Sequence, residues 1–266
     1  MIYSQSYIRA TWEENVCPAA LKMQFIDKLE QQIDDETKKA MFRGRYFEWH
    51  LLGATRDGIE PKFEPNIKAR YTTGSLGEKI PDYRPAAELE LIELVEYARA
   101  ILKNMGLDTN EGEKQVHLKA GDKEGHLDWI TKDYMNPTRK AIVDVKWTGT
   151  KVDDRFIGWA DFDSMQGERF QATHYIQLYK EARGEYVPYY FFVFGNSGWM
   201  RVIKVVLTEQ GLSIYNTTVD TAKQKTANFE AQKWPARPSF NKCMKCWFLK
   251  YCETPAIVPA AEIFHI

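Results

Sequence analysis

The sequence predicts a layered α/β fold, with a mixed central sheet flanked by helices, from three observations. Residues 18 to 55 and 86 to 105 carry apolar side chains at helical spacing. Three short β-rich runs between 114 and 147 are separated by turn residues, and a further helical stretch precedes two more strands. Helices and strands in that order suit a sheet covered by helices.

The elements follow in order. Leu21, Phe25, Leu29 and Ile33 recur every three or four positions, so 18 to 55 reads as helical. "GIEPKFEP" and "KIPDYRP" place prolines in a loop from 56 to 85. Helix resumes from Ala86 to Met105, with Gly106 as its stop. Residues 114 to 120, 125 to 132 and 140 to 147 read as an antiparallel meander, turned by "GDKEG" and "YMNPT". The helix from Ser164 to Arg183 is entered through Asp163 and Gln166, which have capping-box spacing. "PYYFFVF" and "MRVIKVVL" flank a turn at Asn196-Ser197-Gly198, and a last helix runs from Thr208 to Lys233. We expect one domain: a helical N-terminal region (1–110), a core (111–235) and a cysteine-rich tail (236–266).

Composition narrows the function classes. A formal net charge of -1 creates no global attraction to nucleic acid, so any DNA binding must come from a local basic groove. The N-terminus lacks a signal-peptide layout, and "YVPYYFFVFG" is too short to span a bilayer, so an intracellular, cytoplasmic protein with no membrane partner is expected. There is no "GxxxxGK[ST]" motif, and any DNA unwinding would need a partner.

The segment "AIVDVKWTG" raises the chemical question. In a strand Asp144 and Lys146 share a face with Ile142, while Val143, Val145 and Trp147 take the other. An acid-x-Lys tripeptide also occurs at Glu36-Thr37-Lys38 and Glu60-Pro61-Lys62, so by itself it fits a salt bridge on a solvated sheet face better than a metal site. Asp128 adds weight, because it puts a second carboxylate in an apolar strand, where burial costs several kcal/mol unless a bound divalent metal, or Lys146 itself, compensates. Carboxylates suit a hard cation such as Mg²⁺, and a nearby ammonium can orient a water for phosphodiester hydrolysis.

Gly125-His126-Leu127-Asp128 followed by Asp144-Val145-Lys146 resembles the GxxD and (D/E)xK strands of the PD-(D/E)XK nuclease superfamily. Gly44 and Glu48 resemble its earlier helical element; RecB-like members have histidine there, and His50 is a lesser candidate. Gln171-Ala172-Thr173-His174-Tyr175 matches the Q-x-x-x-Y motif of RecB-like members, and i, i+4 spacing puts Gln171 and Tyr175 on one helix face. The same stripe would also serve as an ordinary helix core. The resemblance implies a restriction-endonuclease-like core in which Glu48, Asp128, Asp144 and the Val145 carbonyl bind Mg²⁺ or Mn²⁺. Lys146 would then orient the attacking water, and Gln171 and Tyr175 would position DNA. Arg43, Arg45, Lys151, Arg155 and Arg169 lie near these motifs and could line a groove, or be ordinary solvated charges.

All four cysteines fit one site: Cys17, and Cys243-x2-Cys246-x5-Cys252 in the tail. Four thiolates suit structural zinc or an iron-sulfur cluster. Their order resembles that of the iron-sulfur RecB-family nucleases, the AddB nuclease domain and the CRISPR-associated RecB-like exonucleases, which implies a 4Fe-4S cluster joining the chain ends. The expected function is thus a metal-dependent DNA exonuclease acting on DNA with a free end, in recombination, repair, CRISPR or phage DNA processing, with a possible helicase partner. Two rivals remain: a DNA-end-binding module without turnover, and a zinc-stapled adaptor.

Overall fold

In a computed structural model, residues 2–12, 16–66, 68, 70–73, 78–149, 166–237, 243 and 246–252 are described. The chain divides into two compact units, residues 1–37 with 207–266, and residues 38–206. In chain order the elements are β1 (Tyr3–Ser4), α1 (Gln5–Ala10), α2 (Pro18–Leu21), α3 (Asp35–Leu52), β2 (Arg70–Thr73), β3 (Lys79–Asp82), α4 (Ala86–Asn104), β4 (Glu113–Ala120), β5 (Lys123–Asp133), β6 (Asn136–Thr148), α5 (Gln166–Arg183), β7 (Tyr189–Gly195), β8 (Trp199–Val205) and α6 (Glu209–Ala231). Among the described residues no helix is long and apolar enough to cross a membrane.

The larger unit holds the sheet, in the order β4-β5-β6-β7-β8. β4, β5 and β6 form the predicted antiparallel meander, whereas β6 and β7 run parallel with Asp144 beside Phe191 and Lys146 beside Val193. A parallel pair requires a crossover, and α5 lies in that connection. β7 is buried at every position, as "YYFFVFG" demands of a central strand. On one face Trp129, Val143, Val145, Tyr190 and Phe192 pack against Phe47 and Leu51 of α3 and Leu94 and Ala98 of α4. Alternation therefore turns Ile142, Asp144 and Lys146 to the other face, toward α5.

Two expectations need correction. Residues 18 to 55 are not one helix: α2 continues into a π-helical turn at Lys22–Ile26, and the chain is then non-helical until α3 begins at Asp35. Lys28 has φ 52°, a left-handed conformation that stops the helix although the apolar spacing continues through Leu29 and Ile33. The expected loop at 56–85 contains the β2–β3 hairpin, whose register pairs Tyr71 with Pro81. Its prolines hid it, since proline in a strand signals an edge or a break. The predicted cap at Asp163 lies outside the described residues.

In the smaller unit, Thr208 caps α6 by accepting from Gly211 N at 3.0 Å. Tyr7 Oη and Thr226 Oγ1 share a buried hydrogen bond of 2.6 Å, and Lys225 donates to the Thr11 carbonyl at 2.6 Å, so α1 is tied to α6. Val16, Leu21 and Phe229 form a small core beside Cys17.

Candidate active site

The site forms where the sheet's ladders part. β5 and β6 pair as far as Trp129 with Val143. One step further, where Asp128 would face Asp144, the Asp128 carboxylate takes the Val145 backbone N–H at 3.0 Å. On the other side of β5, Lys114 pairs with Trp129 and Val116 with Leu127, and Gln115, opposite Asp128, adopts φ 51°. Asp144, only 2% exposed, accepts from Gln171 Nε2 at 2.8 Å on Oδ1 and pairs with Lys146 Nζ at 2.5 Å on Oδ2. Glu48, on α3, accepts from Gln115 Nε2 at 2.5 Å.

The electrostatics tie these groups together. Burial pushes Glu48 up to about 7; Gln115 and Lys146 pull against it, and Asp144 adds to it. Asp128 is raised well above the usual carboxylate range, first by burial and then by the Asp144 charge. Burial alone would depress Lys146, but Asp144 and Asp128 outweigh it and hold the ammonium protonated. Another buried acid supplies the contrast. Asp133 is fully buried yet sits below its usual range, because Met135 N, Arg139 and Tyr190 Oη all donate to it. Asp133 is a satisfied structural acid, whereas Glu48 and Asp128 resist ionisation.

Tyr175 comes from α5 to close the site. Its ring packs so tightly on Gly125 that a Cβ there would lie 2.6 Å from Tyr175 Cε1, which is the physical reason for the glycine three residues before Asp128. Burial raises the Tyr175 phenol, and the Asp144 and Asp128 charges raise it further. Tyr189, fully buried on β7, is raised in the same way by burial and then by Asp144. Gln115 and Tyr189 were missed in the sequence: Tyr189 reads as one more core residue of "YYFFVFG", and only strand register puts Gln115 opposite Asp128.

Other candidates fall elsewhere. His50 packs on Tyr46, with ring centroids 4.2 Å apart, and lines a separate pocket of about 340 Å³ with Glu60 and Glu88. Arg45 pairs with Asp57 at 2.5 Å, and Lys151 and Arg155 lie outside the described residues. His174 does not face the carboxylates; its Nε2 meets the Glu124 carbonyl at 3.1 Å, and burial lowers its pKa to about 4.

His174 carries a pH prediction. Unfolded, it titrates near 6.5, so between there and about 4 the unfolded chain holds the extra proton. The neutral, buried histidine therefore contributes stability above 6.5 that is lost as pH falls, up to about 3 kcal/mol. Denaturant unfolding of His174→Asn should show a flatter loss between pH 6.5 and 4 than wild type; parallel losses would refute this assignment.

The four cysteines line one pocket in the smaller unit, together with Ala20, Met23 and Phe248. Turns joining Cys246 N to the Cys243 carbonyl and Cys252 N to the Leu249 carbonyl wind the tail, and Arg237 N donates to Cys17 Sγ at 3.5 Å. Burial raises the Cys246 thiol, with the other three cysteines adding to the effect. Even so, among the described residues no three His, Cys, Asp or Glu side chains converge closely enough to hold a metal ion, here or at the carboxylate site.

Comparison with known proteins places this fold. The chain is similar to the crystal structure of a "Putative exonuclease" from Eubacterium rectale, with a TM-score of 0.60 and 18% identity, over 92% of this chain and 87% of that one. At that identity the likeness shows the fold. No protein with a curated description matches. Residues 5–249 match the PDDEXK-like domain of unknown function (DUF3799), and the chain belongs to that family within the PD-(D/E)XK superfamily.

Proposed function

We propose that this chain is a divalent-metal-dependent DNA nuclease, acting as an exonuclease on DNA with a free end. The observation that carries the reading is a charge imbalance: the Glu48, Asp128 and Asp144 carboxylates repel one another and share one ammonium, Lys146. When all three acids are ionised, two negative charges stay uncompensated, and one divalent cation matches them. The all-oxygen donor set also suits a hard cation. Glu48, Asp128 and Asp144 with the Val145 carbonyl would have to draw together around Mg²⁺ or Mn²⁺, which would then polarise a phosphate oxygen and acidify a water.

The chain's own groups supply the rest. Lys146 remains protonated, so it serves as a cation that orients the attacking water and offsets charge on the phosphate, not as a base. Gln171 holds Asp144 Oδ1, and the Tyr175 phenol keeps its proton and can donate toward a phosphate oxygen. Through these contacts both residues would set the position of the DNA strand.

For the four cysteines that line one pocket we propose a 4Fe-4S cluster of the RecB-like iron-sulfur type, which would have to draw the thiols together, with structural zinc as the rival occupant. The whole chain would then be one nuclease domain, working in recombination, repair, CRISPR or phage DNA processing beside a separate motor.

The test is cleavage of end-labelled linear single- and double-stranded DNA with Mg²⁺ or Mn²⁺, against a chelator control. Shortening only with metal is expected, and the product ladder gives the polarity. Binding of DNA ends with no metal-dependent cleavage would replace this reading with a binding module.

A further inference from the structure

Resting on the metal-site reading above, we propose that Gln115 is a positioning residue, which presents the Glu48 carboxylate to the cation. Gln115 does not touch the reacting atoms in this scheme; it acts through Glu48.

Three observations carry the inference. Gln115 Nε2 donates to Glu48 Oε1 at 2.5 Å, joining β4 to α3 across 67 positions of sequence. The residue has φ 51° in the middle of β4, a conformation that a strand residue other than glycine rarely takes. The distortion is local, because Lys114 and Val116 on either side keep their partners Trp129 and Leu127. The residue thus displaced is the one opposite Asp128. Backbone strain of this kind persists only where surrounding structure over-determines it, and it clusters at functional sites.

The chemistry explains why an amide suits the position. Asp144 is held by Lys146 and Gln171, and Asp128 by the Val145 N–H. Glu48 alone comes from a helix of the opposite layer and needs its own anchor. A neutral donor fixes one carboxylate oxygen without cancelling the charge, so the second oxygen and the full negative charge stay available. A lysine or arginine there would compete with the cation.

The test is Mn²⁺ binding to the full-length protein by calorimetry, with thermal melting of the metal-free protein alongside. Gln115→Gly removes the amide but accommodates the positive φ, so it separates positioning from folding. We expect a melting temperature at or above wild type and Mn²⁺ affinity weaker by about 10- to 100-fold. In a Glu48→Ala background the same change should have no further effect on affinity. Wild-type affinity in Gln115→Gly, or an undiminished loss in the Glu48→Ala background, overturns the inference while leaving the nuclease reading intact. A wild-type protein that binds no Mn²⁺ overturns both.

Discussion

Replacing Lys146 by methionine is expected to reduce metal-dependent DNA cleavage by about 10²–10³-fold while DNA binding persists. The physical ground is the position of the ammonium, 2.5 Å from Asp144 Oδ2 and held protonated by Asp144 and Asp128. Methionine keeps much of the half-buried stem's volume but leaves no cation to orient water or to offset charge on phosphate. Removing one partner of a buried ion pair also has a structural cost, of the order of 3–5 kcal/mol. The assay must therefore include a melting curve with Mg²⁺ present, since a bound cation can compensate the acids. Lys146→Arg keeps the charge in a planar, longer group and should recover only part of the rate. Cleavage by a folded Lys146→Met protein within tenfold of wild type would remove Lys146 from the proposed chemistry.

Anaerobically purified wild type should be brown and contain about four irons per chain, and Cys246→Ser should lose both colour and iron. Cys17 and the tail cysteines are far apart in sequence yet line one pocket, so a cluster on them closes a very long loop. Its loss should lower stability by an amount comparable to a long-range cross-link, about 5 kcal/mol on the disulfide scale. Colourless wild type containing one zinc per chain would show that zinc fills the pocket instead. A Cys246→Ser protein that melts with wild type would show that nothing clips these segments together.

Much of the site was legible because its chemistry is local in sequence. Asp144 and Lys146 share a face by strand alternation, and Gln171 and Tyr175 share one by helical periodicity, so neither pairing needed coordinates. The meander, the helix ending at Arg183 and the strand at Tyr189–Gly195 were legible from local pattern, while the parallel pairing that makes the helix a crossover was not. Where a single backbone angle decided the outcome, the pattern misled: Lys28 breaks the expected first helix although the apolar spacing runs on. Side-chain identity was equally silent about Asp133 and Asp128, two acids on one strand. One is satisfied by Arg139 and Tyr190, and the other is left facing Asp144.

By itself the sequence determined the order of helices and strands, the acid-x-lysine strand and the glutamine-tyrosine helix face, because each depends on neighbours within a turn or a strand. Only the tertiary structure decided which acid lies across from which, that Gln115 rather than a charged residue holds Glu48, and that His174 and His50 turn away from the carboxylates. Those outcomes depend on where the strand ladders part and on which charges share a buried volume, and both arise from contacts between residues distant in the chain.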